Sequence, residues 1–159
     1  GHKSVVFAGV TESDEAVGIE RKQGFIDAFT DENENSSVNF VETGFAFKKS
    51  YEMTPEILKY SPTAIACATD NICLGILRYL HENNIKVPEE VSVAGFGGYE
   101  ISSVAYPALT TVAFNYELTG QKTAQGILDL IEGKELDEKN DIPLKLIERE
   151  SVEDLIIKT

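Results

Sequence analysis

Between Cys67 and Phe114 the chain reads CATDNICLGILRYLHENNIKVPEEVSVAGFGGYEISSVAYPALTTVAF. A strand, an Asp-Asn turn, a helix, a Val-Pro turn, a second strand, a glycine-rich loop, a proline-containing loop and a third strand follow one another. Strands that alternate with helices build a mostly parallel sheet with helices on both faces. Polar residues and glycines collect at the far ends of these strands. In open α/β sheets, ligands bind just outside those carboxyl ends.

The rest of the chain keeps the same alternation. SVVFAGV at 4–10 is a short apolar run, the pattern of a buried strand. Ile19, Phe25, Ile26 and Phe29 predict a helix over 16–31 with one apolar face, capped by Asp14 or Ser13. VNFVET at 38–43 is a second strand, rich in β-branched residues. A helix within 49–60 accommodates Pro55 if it starts near Met53-Thr54. Strands follow at 64–70, 91–96 and 110–114, with a helix at 71–83 whose core row is Ile72, Ile76 and Leu80. Asn83-Asn84 end that helix, and Pro88 lies beyond. A helix over 116–132 closes at Gly133, and 143–149 is a last alternating strand. The expected fold class is α/β, a doubly wound, mostly parallel sheet flanked by helices, and 159 residues suffice for one domain.

Charge narrows the function. With 14 Lys and Arg against 27 Asp and Glu, the net charge is −13, and no basic patch offsets it, so this chain is not expected to grip a phosphate backbone. The acidic residues fall on helix flanks and loops (Glu12, Asp14, Glu15; Asp31, Glu32, Glu34; the stretch 132–141, expected to be flexible) and read as solvated surface, not as metal ligands. Cys67 lies in an apolar strand and Cys73 on the apolar side of a helix, both expected as reduced core residues. No apolar run is long enough for a membrane span, and no signal peptide is seen. The start Gly1-His2-Lys3 looks like a cut inside a longer protein, and the expected location is cytoplasmic.

Enzyme readings lack their parts. There is no GxSxG elbow, HExxH, Walker A loop or CxxC, and His2 and His81 are the only histidines. We expect no catalytic activity, no cofactor and no metal.

The candidate binding residues carry two readings each. Thr69 or Asp70 caps the following helix, or hydrogen-bonds a polyol hydroxyl. Arg21 is a solvated arginine, or its planar fork of donors grips vicinal hydroxyls or a carboxylate. The loop GFGGYE at 95–100 is no dinucleotide fingerprint, because Glu100 stands where GxGxxG needs glycine; its glycines allow a tight turn. Phe45, Phe96, Phe114 and Tyr116 lie near strand ends, where aromatic faces pack on sugar rings, although Phe96 reads better as core.

These motifs closely resemble the sugar-sensing core of the lactose/galactose repressor family (LacI/GalR), which has a periplasmic-binding-protein-like type I fold. Arg21, Gly24 and Phe25 resemble a family triplet whose arginine binds ligand. Thr69 stands at a family Asn that faces the sugar, and Asp70 matches the family Asp. Gly97 and Gly98 replace a family Asp pair, which removes a carboxylate from the implied site. GFGGYE is similar to the sucrose-operon repressor branch, implying sucrose or a fructose-containing sugar. Phe45 and Tyr116 match ligand-facing aromatic positions, and LIERESV at 146–152 resembles the family's closing pattern.

The resemblance implies an effector-binding fragment of a transcriptional repressor that meets DNA only through a domain outside this chain. A soluble periplasmic-type sugar-binding protein is the alternative. Residues 1–112 would form the C-terminal subdomain of the ligand-sensing core. Residues 113–159 would return to an N-terminal subdomain and close with a crossover strand, the chain crossing back near 146. The family also implies a homodimer, here through Leu74, Arg78 and His81 with Ile101, Ala105 and Tyr106. The helix at 116–132 has an apolar face expected to dock on another copy or to pack back on its own sheet.

Overall fold

In the computed structural model, residues 1–32, 36–136 and 142–156 are described. Glu34 and residues 137–141 of the acidic stretch lie outside the described residues. The elements are β1 (Ser4–Gly9), a π-helical segment (Glu15–Arg21) running into α1 (Lys22–Glu32), β2 (Ser37–Glu42), α2 (Phe47–Leu58), β3 (Ala64–Cys67), α3 (Asp70–Glu82), β4 (Ser92–Gly97), α4 (Ile101–Val104), β5 (Thr110–Ala113), α5 (Tyr116–Ile131) and β6 (Lys145–Ile147). One six-stranded sheet has the order β2-β1-β3-β4-β5-β6. The first five strands are parallel, and β6 runs antiparallel to β5 at the edge. The α/β, mostly parallel architecture is the one the alternation of apolar runs predicts.

The sheet is buried most deeply along β1, which is covered on both faces. Val6, Ile65 and Val93 are fully buried, as are Ile72, Ile76 and Leu80, the predicted row of α3. Each such side chain contributes roughly 1.5–3 kcal/mol. α2 and α3 pack so closely that a β-carbon on Gly75 would lie 2.0 Å from Ser50 Oγ and 2.4 Å from the Phe47 carbonyl oxygen. Cys67 and Cys73 are buried free thiols. Burial, then contact with Cys67, pushes the Cys73 thiol well above its ordinary range.

Three local expectations need correcting. The first helix opens with a π-helical segment, capped by Asp14, whose Oδ1 accepts from the Val17 amide at 2.8 Å. Its wider turn shifts the apolar face, so Val17 packs on the core and Ile19 is exposed. Phe25 keeps its place, 5.3 Å from Phe7 between ring centroids. The second helix begins at Phe47, not near Met53, so Pro55 sits inside it. A short helix, α4, interrupts the loop after β4. Of the two arrangements expected for α5, packing back on its own sheet is not the one seen: the helix buries no residue, and Ile127, Leu128, Leu130 and Ile131 are exposed.

After β6 the chain is sewn onto the sheet. The Val93 amide donates to the Ser151 carbonyl at 2.8 Å, and Ser151 Oγ donates to the Val93 carbonyl and accepts from the Thr110 amide. His2 bridges Thr63 Oγ1 and the Glu153 carbonyl. No helix among the described residues is long and apolar enough to cross a membrane.

Candidate ligand-binding site

The site lies where the sequence placed its polar residues, at the carboxyl ends of the parallel strands. Arg21 ends the π-helical segment, and its Nη1 donates to the Ala68 carbonyl just beyond β3 at 2.7 Å. Its guanidinium carbon stands 4.0 Å from the centroid of the Phe96 ring and 5.8 Å from that of Phe114, within cation–π range of both. Phe96, Phe114 and Tyr116 form a chain of rings with centroid spacings of 5.1 and 5.8 Å. Tyr116 donates its hydroxyl hydrogen to the Gly97 carbonyl at 2.8 Å. Desolvation holds Arg21 below the usual arginine pKa, while the nearby Tyr99, Asp14 and Tyr116 pull the other way.

The glycine loop is shaped by close approach. Gly97 has φ +138° and Gly98 φ +70°, and a β-carbon on Gly98 would lie 2.3 Å from that of Ala113. At Gly97 a β-carbon would come within 3.0 Å of the Tyr99 ring. The loop therefore has little room for the carboxylate pair that the resemblance implies at this place.

Asp70 has a different task from either reading in the sequence. It is 0 % exposed. One oxygen accepts from the Tyr99 amide (2.9 Å) and Ser102 Oγ (2.7 Å), the other from Thr111 Oγ1 (2.6 Å). It fastens the glycine loop, α4 and β5 to the start of α3. Thr69 holds the N-cap position in extended backbone, yet its side chain makes no capping bond. Its hydroxyl oxygen is buried without a partner among the described residues.

The structure thus gathers Arg21, Thr69, Gly97 and Tyr116 at one set of strand ends, with Asp70 beneath them. Phe45 stands exposed after β2 and joins no ring contact with this cluster among the described residues. Sequence reasoning missed Tyr99, which follows the two glycines and whose ring lies against Gly97, where a β-carbon would crowd it. Arg21 also borders a cavity of roughly 540 Å³ between the first helix and the sheet, lined by Phe7, Phe25, Ala66, Ala94 and Val112. No cluster among the described residues could hold a metal ion.

A second surface unites the residues expected at the dimer contact. Leu74, Arg78, His81, Ile101, Ala105 and Tyr106 all line one apolar groove, with Phe47 and Leu77. Ile101, Val104 and Tyr106 are exposed, Tyr106 at 87 %, so these side chains stay out of the core while Ala105 packs against it.

Comparison with known proteins agrees with this fold. Residues 1–152 match the family described as periplasmic binding protein-like domain. The sucrose operon repressor of Staphylococcus xylosus is 30% identical over 141 residues, which cover 87% of this chain and 43% of that protein. The NTD biosynthesis operon regulator NtdR of Bacillus subtilis is 32% identical over 161 residues, covering 95% of this chain and 47% of the relative. The chain therefore spans less than half the length of these relatives, which are named as transcriptional regulators. A LacI family transcriptional regulator from Enterococcus faecalis V583, solved with bound ribose, superposes with TM-score 0.85 at 31% identity, covering 95% of this chain and 55% of that one. The lac repressor dimer bound to operator gives TM-score 0.86 at 25% identity, covering 96% and 53%. The chain belongs to the periplasmic binding protein-like domain family, in the form found in the effector-binding core of LacI/GalR regulators.

Proposed function

We propose that this chain is one wall of the effector site of a sugar-responsive transcriptional repressor. The observation that carries the reading is the strand-end cluster, where a guanidinium 4.0 Å from the Phe96 ring neighbours a Thr69 hydroxyl without a partner among the described residues and an exposed Tyr116. Oriented donors beside aromatic faces suit a polyol. Sucrose or a fructose-containing sugar is the favoured effector, supported by the likeness to the sucrose operon repressor.

Residues 1–112 form the C-terminal subdomain in this reading. Residues 113–145 reach toward the N-terminal subdomain, and 146–159 cross back. Ligand held between the two subdomains favours one closure angle, and relative rotation repositions DNA-binding heads that lie outside this chain. The regulator works in the cytoplasm as a homodimer, with the groove of Leu74 and Tyr106 as the self-complementary contact.

The test is a calorimetric titration of the full-length protein with sucrose and fructose, alongside release or retention of operator DNA. Binding that alters operator affinity, and that is lost in a folded Arg21→Ala variant, supports the reading. A sugar response unchanged in that variant removes Arg21 from the site.

A further inference from the structure

We infer that Tyr99 sets the specificity of this wall: its ring and hydroxyl select a glycoside, a sugar whose anomeric oxygen is already an ether, over the same sugar with that hydroxyl free. The inference rests on the sugar-effector reading above and goes beyond it by naming a specificity-determining residue and the ligand chemistry it prefers.

The place of Tyr99 is fixed from several sides. Its amide donates to the buried Asp70 carboxylate at 2.9 Å. Its ring lies against Gly97, where a β-carbon would come within 3.0 Å of the ring atoms Cε1 and Cζ. Gly97 also has φ +138°, a conformation that side-chain-bearing residues rarely adopt, so glycine leaves this space to the ring. Gly98 ties the loop to β5 through its amide, which donates to Thr111 Oγ1 at 3.3 Å. Tyr99 stands close enough to Arg21 and Tyr116 to bear on the ionisation of both, which puts it beside the strand-end cluster.

Its chemistry is unspent. Tyr99 is 36 % exposed, and among the described residues its hydroxyl makes no hydrogen bond and its ring joins no aromatic pair. Tyr116, by contrast, has given its hydroxyl hydrogen to the Gly97 carbonyl and can only accept. The loop brings no carboxylate to the same place. Gly97 and Gly98 have no side chain, both oxygens of Asp70 are taken up by Tyr99, Ser102 and Thr111, and Glu100 is exposed to solvent.

That exchange of groups decides what is held well. A carboxylate only accepts, so it suits a pair of neighbouring hydroxyls, each of which brings a hydrogen. An ether oxygen brings lone pairs alone, which a carboxylate repels and a phenol O–H satisfies. The C–H face of a sugar ring packs on an aromatic face. Tyr99 offers the donor and the face together, and a glycoside uses both.

The experiment titrates the full-length protein calorimetrically with matched probes: methyl β-fructofuranoside against fructose, methyl α-glucopyranoside against glucose, and sucrose, in which each ring is the other's glycoside. The expected result is that a glycoside binds about two- to tenfold more tightly than its free sugar, the worth of one neutral hydrogen bond. The preference disappears in Tyr99→Phe, which keeps the ring. Tyr99→Ala weakens both members of the pair. Both variants keep the amide bond to Asp70, so urea midpoints near the parent's confirm their fold, and Tyr99→Phe alone decides the matter if the alanine variant does not fold. Free sugars that bind as tightly as their glycosides overturn the ligand class. A glycoside preference unchanged in Tyr99→Phe overturns the assignment to this residue. Either result leaves the sugar-sensor reading standing, whereas failure of every probe overturns that reading and this inference together.

Discussion

The hydroxyl of Tyr116 and the carbonyl of Gly97 meet at 2.8 Å, joining the first residue of α5 to the end of β4. Since α5 buries no side chain, this bond and the Asn115 cap, which accepts from the Leu118 amide at 3.0 Å, fix how the helix leaves the sheet. Burial raises the Tyr116 pKa, which keeps the phenol a donor at neutral pH. Tyr116→Phe should cost about 0.5–1.5 kcal/mol, read from urea midpoints. Amide exchange should rise in the first turn of α5 and stay unchanged in α3. Equal exchange in both helices would show that the bond does not anchor α5.

Asp70 joins four segments through one carboxylate. Asp70→Ala leaves the Tyr99 amide and the hydroxyls of Ser102 and Thr111 without their acceptor. The expected loss is about 3 kcal/mol or more, because each buried donor left unpaired costs about 1–3 kcal/mol. Asp70→Asn keeps the shape and part of the bonding, and should lose less. Denaturant unfolding measures both, and a loss under about 1 kcal/mol for the alanine variant would mean that water replaces the carboxylate.

His2 gives the fold a pH dependence. Burial lowers its pKa below the ordinary value of 6.5, outweighing the bond to the Glu153 carbonyl. The unfolded chain then binds the proton more readily than the folded one. Its contribution is complete above pH 6.5 and declines as pH falls through that value toward the lower folded pKa. Thermal melts at descending pH should show a smaller drop in Tm for His2→Gln than for the parent protein. Parallel curves would exclude His2 as the titrating group.

The apolar groove is tested by charge. Leu74→Glu with Tyr106→Glu in the full-length protein should shift sedimentation from dimer toward monomer, since an isologous contact repeats each new carboxylate on both copies. An unchanged sedimentation coefficient would place the dimer contact on another surface.

Much of this architecture was legible because the buried strands are short apolar runs and the α3 row recurs at helical spacing. The π-helical segment was not, because its extra residue per turn moves Ile19 out and Val17 in without altering composition. Pro55 was read as a helix start, yet α2 continues through it, with Thr54 Oγ1 donating to the Ser50 carbonyl at 2.8 Å beside it. At the site, Arg21 and Tyr116 could be singled out by residue type and position. Asp70 could not be assigned correctly, because its partners lie 29, 32 and 41 positions away. Tyr99 carried no periodic signal, only its place after two glycines.

The antiparallel pairing of β6 with β5 has a mechanical side. The chain departs toward α5 on one strand and comes back on its hydrogen-bonded neighbour, with Thr111 opposite Ile147 and Ala113 opposite Lys145. A load carried by that excursion is shared between two tethers and not borne by a single swivel. Twisting one tether against the other would shear their common ladder, whereas bending them together would not. The ribbon is stiff to torsion and compliant to flexion, so its soft direction is set by backbone pairing and not by any side chain in the groove or the pocket.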